Sequence, residues 1–338
     1  MTNKPYVVFC RGFDNALKEF DEFSKKFNVQ IMNPAISRAE FIDDLKAGKL
    51  NGAVAIYKSY ESNYTIGRFD QEIVDLLPDS LKVVAYRGAG YDSIDVEACA
   101  RKGIWVTNTP GAASDSTADV AMWLVISVMR NMWAAQLSVH RGNWKHGWEC
   151  GYNLRGRTLG ILGLGLIGQQ LAVRANSFGM RVIYNKRTPL SAEEERKWNV
   201  HYAGFEALLS QADVVVVCCP LTPETRHLLS DAQFALMKRG AHVVNIARGA
   251  VIDEEALVRA LKSGHLASAG LDVFEHEPQI HPYLLESERC MVLPHVAGPT
   301  HDTHYRMEEQ VMEAIESACE GQVPPLYHVN WPQNIPRP

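Results

Sequence analysis

No CxxC pair occurs among the seven cysteines, and two of them, Cys218 and Cys219, adjoin within an apolar run. That usage excludes a disulfide framework and suits a reduced, cytoplasmic chain with buried thiols. Long hydrophobic segments are also lacking. The longest apolar run, 120–129, is about half of what crosses a bilayer. It is apolar on every side, as expected of a helix buried between domains. Excess basic charge is missing too: 34 Lys and Arg face 39 Asp and Glu, a net charge of −5. This argues against nucleic acid or an anionic membrane as the main partner. There are no repeats and no low-complexity segments, and the first residues run straight into a strand without a signal peptide. What remains is 338 residues, enough for two domains that bury about 75% of the unfolded surface.

Short β-rich runs alternate with helical stretches throughout. Strands are expected at 6–10, 30–32, 53–57, 83–86 and 105–106, and then at 158–162, 181–184, 214–218, 242–246, 268–272 and 291–293. Most are apolar on both faces, the mark of parallel strands covered by helices on either side. The fold class is therefore α/β, with two doubly wound parallel sheets. A final helix over 305–319 places Met307, Val311, Ile315 and Ala318 on one face. It should end at Gly321 and Pro324-Pro325 and pack back on the first domain.

At Thr158-Leu-Gly-Ile-Leu-Gly163-Leu-Gly165-Leu166-Ile167-Gly168 a buried strand runs into a glycine turn and a helix. In such a turn Gly163 permits the bend, Gly165 lets the backbone approach a pyrophosphate, and Gly168 lets the helix pack on the strand. The amides of Leu166 and Ile167 belong to a helix N-terminus, which favours anions. One more absence is informative. The acid that usually follows about 20 residues later, where it would bind a ribose hydroxyl, is replaced by Asn185-Lys186-Arg187. An amide beside two cations suits a ribose 2′-phosphate, so NADP(H) is expected to be preferred over NAD(H). The competing reading makes Lys186 and Arg187 an ordinary solvated loop.

Three further segments follow strands, where a doubly wound sheet holds its ligands. They are Asn245-Ile-Ala247-Arg248-Gly249, Gly270-Leu-Asp272-Val-Phe-Glu-His-Glu277-Pro278 and Leu293-Pro294-His295-Val-Ala-Gly298. Taken singly, Arg248 could cap a carbonyl, Glu277 could sit in a plain turn and His295 could be a core imidazole. Together they supply a planar cation, a carboxylate and an imidazole. Reduction of a 2-keto acid needs those groups: donors for a carboxylate, and a proton for the developing alkoxide. A separate turn, Arg87-Gly88-Ala89-Gly90-Tyr91, is no second fingerprint, because Ser93 stands where the third glycine should be. Its small residues either expose amides or form a tight turn, and whether Arg87 and Lys58 add charge to a site stays open. His301-Asp-Thr-His304 opens a helix without Cys or carboxylate ligands at metal-binding spacing, so no metal is expected.

The chain resembles the D-isomer-specific 2-hydroxyacid dehydrogenase family over essentially its whole length. The resemblance is carried by GLGLIG at 163–168, CCPLTPETRHLL at 218–229, NIARGAVIDEEAL at 245–257, GLDVFEHEP at 270–278 and LPHVAG at 293–298. It implies that Arg248 binds the substrate carboxylate and polarises the keto oxygen, that His295 is the acid/base, and that Glu277 supports His295. Asp272 would be the acidic residue beside the nicotinamide. Cys219, Pro220, Thr225, Ala247, Arg248, Asp272, His295 and Gly298 would join the fingerprint in holding the cofactor. Gly88, Ala89 and Gly90 would hold the substrate carboxylate opposite Arg248. The resemblance also implies a flavodoxin-like substrate domain from residues 1–108 and 302–338, an inserted Rossmann domain over 109–301, and a homodimer.

The aromatic segment Trp144-Lys-His-Gly-Trp148-Glu-Cys-Gly-Tyr152 is similar to a dimer arm of glyoxylate/hydroxypyruvate reductases, and core packing is the competing role. The expected activity is NADPH-preferring reduction of small 2-keto acids such as glyoxylate or hydroxypyruvate, or of a bulkier one, to D-2-hydroxy acids. Two rivals are a D-mandelate-type dehydrogenase on aryl 2-keto acids and a cofactor-sensing corepressor that shares the fold.

Overall fold

The computed structural model describes residues 4–322 and 328–330. The Pro324-Pro325 stop expected after the last helix lies outside them. The chain forms two compact units, Met1–Ala112 with Thr300–Pro338 and Ala113–Pro299. The boundaries therefore fall after 112 and 299 rather than after 108 and 301.

The first unit holds five parallel strands: β1 (Tyr6–Phe9), β2 (Asn28–Ile31), β3 (Ala53–Ser59), β4 (Val83–Arg87) and β5 (Trp105–Thr107). Their order is β2-β1-β3-β4-β5, the flavodoxin-like arrangement. Alternate residues feed two cores. Val8, Ile56 and Val84 pack with Phe41, Phe69 and Ile73 on one face. Val7, Phe9, Ala55 and Tyr57 pack with Phe23, Val311 and Ile315 on the other. The last two come from the helix His301–Cys319, whose Thr300 side chain accepts the Thr303 amide at 3.0 Å. The histidines of 301–304 thus form its first turn, and among the described residues no group of His, Cys, Asp and Glu could hold a metal. The same helix buries Glu308 completely. Glu308 accepts the amides of Asp14, Asn15 and Ala16 at 3.2, 3.0 and 2.7 Å and the Arg87 Nη1 at 3.2 Å. A buried carboxylate is tolerated only when so fully paired.

The second unit holds seven parallel strands: β6 (Thr158–Leu162), β7 (Arg181–Asn185), β8 (His201–Tyr202), β9 (Val214–Val217), β10 (Ala241–Asn245), β11 (Leu266–Leu271) and β12 (Cys290–Val292). The order β12-β11-β10-β9-β6-β7-β8 reverses between β6 and β9, the place where such sheets open a crevice at their C-terminal ends. β9 ends at Val217, so Cys218 and Cys219 follow the strand rather than lying within it. The helix Ser114–Met129 contains the long apolar run, and nine of its residues are buried. Among the described residues no single helix is long and apolar enough to cross a membrane.

β10 and β11 share a buried imidazole. His242 is opposite Ser268, and its Nδ1 lies 2.8 Å from that hydroxyl. Burial pushes its pKa from 6.5 down to about 4. An unfolded chain therefore takes up a proton below pH 6.5 that the folded chain refuses until about pH 4. Stability falls as pH drops through that window, at up to about 1.4 kcal/mol per pH unit. His242→Asn is expected to flatten this part of the urea-unfolding profile against pH, and an unchanged slope would assign the acid sensitivity elsewhere.

Candidate active site

The glycine turn after β6 is shaped by close approach. Gly163 has φ +96°, and a Cβ there would lie 2.7 Å from the Cys219 nitrogen, so no other residue fits. Gly165 is the N-cap of the helix Leu166–Ser177, and its Cβ position meets nothing within 4 Å. Leu166 is exposed and Ile167 half-buried at this helix N-terminus, whereas Gly168 is buried with its Cβ position 2.6 Å from the Gly163 carbonyl oxygen; a helix start so placed suits an anion such as a pyrophosphate. At the tip of β7, the Asn185 Nδ2 donates to the Ala203 carbonyl at 2.9 Å, so this amide also braces the edge of the sheet. Lys186 is half-buried and Arg187 is exposed. Thr222 holds the Glu224 carboxyl below its usual range, and the Arg187 charge adds to that effect, which places Arg187 within electrostatic reach of the loop after β9.

That loop fastens itself. The Thr225 Oγ1 accepts the Thr222 amide and donates to the Pro220 carbonyl, both at 2.7 Å. Its hydroxyl thus shapes the loop. Burial raises the Cys219 thiol to about 11, which leaves it protonated and unreactive.

The turns after β10, β11 and β12 interlock. Asn245, buried at the end of β10, accepts the Ala247 amide at 3.0 Å and donates to the Arg248 carbonyl at 2.9 Å, folding the Arg248 turn. The Arg248 Nη1 donates to the Ala247 carbonyl at 2.8 Å. A Cβ on Gly249 would lie 1.8 Å from the Phe274 carbonyl carbon, so the Arg248 turn rests directly on the chain leading to Glu277. Glu277 accepts the Phe274 amide at 3.0 Å, and its other oxygen lies 2.9 Å from the His295 Nδ1. Burial alone would raise the Glu277 carboxyl, but the hydrogen bond and charge of His295, the Phe274 amide and the charge of Arg248 together hold it below its usual range. A carboxylate at Nδ1 keeps a proton there and leaves Nε2 as the position that exchanges one.

Asp272 directly follows β11. It is 1% exposed, and its two oxygens accept the Val296 and Ala297 amides at 2.8 and 3.0 Å. Its carbonyl accepts the His295 amide at 2.8 Å. Asp272 thus holds the loop that carries His295, whose φ is +56°. The Gly298 carbonyl accepts the Ser116 hydroxyl at 2.8 Å, which fixes the end of that loop. Asn245 was not anticipated, although an Asn at a strand end followed by a turn is a recognisable signal.

In the first unit the turn at 88–90 is stitched to the chain after β5. The Gly88 amide donates to the Thr109 Oγ1 at 3.0 Å, the Thr109 amide to the Gly88 carbonyl at 3.0 Å, and the Asn108 Nδ2 to the Ala89 carbonyl at 2.7 Å. The Gly88 amide is therefore taken. Among the described residues those of Ala89 and Gly90 donate to no protein acceptor. Arg87 and Lys58 are buried at 1% and 0% exposure, and Arg87 is tied up by Glu61 and Glu308. The aromatic segment of the second unit is mixed. The Trp148 Nε1 donates to the Asn131 carbonyl at 3.0 Å, whereas Trp144 and Tyr152 stand 68% and 56% exposed and pack in no core.

Comparison with known proteins gives the family. The family model for the NAD-binding domain of D-isomer-specific 2-hydroxyacid dehydrogenases matches residues 122–297. The 4-methyl-2-oxopentanoate reductase A of Aspergillus oryzae is 40% identical over 316 residues, covering 94% of this chain and 95% of its own. A glyoxylate reductase from Paecilomyes thermophila superposes with a TM-score of 0.92 at 39% identity, over 97% of this chain and 99% of that one. The holo D-mandelate dehydrogenase of Rhodotorula graminis superposes with a TM-score of 0.92 at 32% identity, over 97% and 98%. The chain is an oxidoreductase and belongs to the D-isomer-specific 2-hydroxyacid dehydrogenase family.

Proposed function

We propose that this protein is an NADPH-preferring reductase that converts small 2-keto acids to D-2-hydroxy acids, with glyoxylate or hydroxypyruvate as the first candidates. The observation that carries the reading is the His295–Glu277 pair at 2.9 Å, with the charge of Arg248 acting on the same carboxylate. The nicotinamide, when bound, supplies hydride to the keto carbon. The chain contributes the rest. Arg248 presents a planar fork of donors to the carboxylate and stabilises negative charge growing on the keto oxygen. His295 donates its Nε2 proton to that oxygen and regains one from solvent, and Glu277 steadies the imidazolium before transfer. Ala89 and Gly90 offer amides to a substrate carboxylate. Bulkier keto acids remain second candidates, in line with the relatives that reduce 4-methyl-2-oxopentanoate or oxidise mandelate by name.

The cofactor preference rests on charge. Lys186 and Arg187 meet a 2′-phosphate where an acid would repel it, and a charge pair at about 4 Å contributes about 4 kcal/mol in a partly screened site. We assign the exposed Trp144 and Tyr152 to a homodimer contact, and the protein to the cytoplasm on account of its seven free thiols, three of them buried.

Two measurements test this reading. His295→Ala is expected to lower turnover of glyoxylate with NADPH by about 10² to 10⁴-fold while cofactor binding persists. Near-normal turnover would remove His295 from the chemistry. Asn185→Asp combined with Arg187→Ala is expected to move the NADPH-to-NADH ratio of kcat/KM toward NADH by about 10²-fold. A ratio that stays put would show that another part of the chain reads the phosphate.

A further inference from the structure

A buried lysine lies beneath the 88–90 turn without a carboxylate partner. Lys58, on β3, is 0% exposed. Its Nζ donates to the Ser62 Oγ at 3.2 Å and to the Asn63 Oδ1, and lies 4.9 Å from the Phe69 ring centroid and 5.8 Å from that of Tyr86. Among the described residues no carboxylate is within 4.0 Å of it. The Cys10 thiol acts on it electrostatically, and burial pushes that thiol up to about 11, so it carries no balancing charge at neutral pH. Burial also lowers the lysine itself to about 8, which leaves it mostly protonated at neutral pH. The fold thus keeps a cation where an apolar side chain would be more stable.

The environment shows what the charge faces. β3 and β4 run side by side with Lys58 opposite Tyr86. The Tyr86 hydroxyl accepts the Asn63 Nδ2 at 3.2 Å, so the ring is anchored to the residue that holds the ammonium. The same ring is flush with the turn: its Cε1 is 2.6 Å from where a Cβ of Gly88 would stand. The Tyr86 ring thus lies close to both the ammonium and the turn, in a buried layer that screens charge less than water does. Two amides of that turn, on Ala89 and Gly90, are without protein acceptors among the described residues.

We propose that Lys58 is a specificity-determining residue for anionic substrates: its buried charge lies behind the Ala89–Gly90 amides and raises their affinity for a carboxylate over a neutral carbonyl compound. This rests on the assignment of those amides to the substrate, made above. Lys58 touches no substrate atom and acts through the field at the turn. The missing counter-ion is then the substrate itself, and the stability given up in the free protein is recovered as binding selectivity.

The test compares glyoxylate with its neutral methyl ester in the full-length enzyme with NADPH. Lys58→Met is expected to lower kcat/KM for glyoxylate about 10-fold through KM, with kcat and the ester reaction changed less than about two-fold. Its Tm should equal or exceed that of the wild type, because a buried charge has been removed. Lys58→Gln, which keeps a polar partner for Asn63, should show the same split in KM. Equal losses on acid and ester, or a lowered Tm with an unchanged acid-to-ester ratio, would make Lys58 structural and overturn the proposal. If the wild type turns over no 2-keto acid with either cofactor, the activity reading fails and this assignment falls with it. If the wild type is active and both variants keep the wild-type acid-to-ester ratio, only the Lys58 assignment fails.

Discussion

The site in the second unit depends on one buried carboxylate. Asp272 accepts two consecutive amides, of Val296 and Ala297, and its own carbonyl accepts that of His295. Those bonds hold His295 in a left-handed backbone conformation, which costs a non-glycine residue about 1–2 kcal/mol. Each hydrogen bond to a charged acceptor contributes about 1.5–3 kcal/mol, so the pair outweighs the strain. Burial raises the Asp272 carboxyl and the two amides pull it back. With the loop so fixed, the imidazole has one direction to point, toward Glu277.

The same economy governs the neighbouring turns. Asn245 folds the Arg248 turn, and Gly249 lets that turn lie directly on the chain at Phe274. Glu254 then accepts the amides of Glu275 and His281 at 3.1 and 3.3 Å, clamping the segment that contains Glu277 from both ends. Arg226 and His227, in the loop after β9, both reach Glu275, at 2.8 and 2.7 Å. The Arg248 turn, the segment of Glu277 and the loop after β9 thus share one rigid support, the kind of arrangement that holds side chains in place before a ligand arrives.

Much of this was legible in the sequence, for identifiable reasons. The strand before the glycine turn reads as 158–162 and is observed as Thr158–Leu162, because it is apolar on both faces and bounded by turn residues. Both sheets are parallel, as alternating short strands and helices imply. β8 was not legible: it is two exposed residues, His201-Tyr202, with no pattern to read. The last helix begins at His301 rather than 305, because its cap is a threonine side chain outside the apolar repeat. The work of Asp272 and the occupied amide of Gly88 were hidden for another reason. Asp272 depends on a backbone amide 24 residues away and the Gly88 amide on a threonine hydroxyl 21 residues away, pairings that the local sequence does not encode. Lys58 stood out as a possible charge near a site, but its burial was hidden, since a lysine is ordinarily solvated.

The connection made by Glu308 has a consequence for how the chain is built. Its carboxylate closes the amides at 14–16, so the first unit is assembled from the two ends of the polypeptide. On the ribosome, the contiguous stretch 113–299 emerges whole and can fold on its own schedule, whereas the earlier strands must wait for the last helix before their sheet is covered. Until that helix is made, Phe9, Ala55 and Tyr57 lack the Val311 and Ile315 that pack against them, and that interval is when a chaperone has the most to hold.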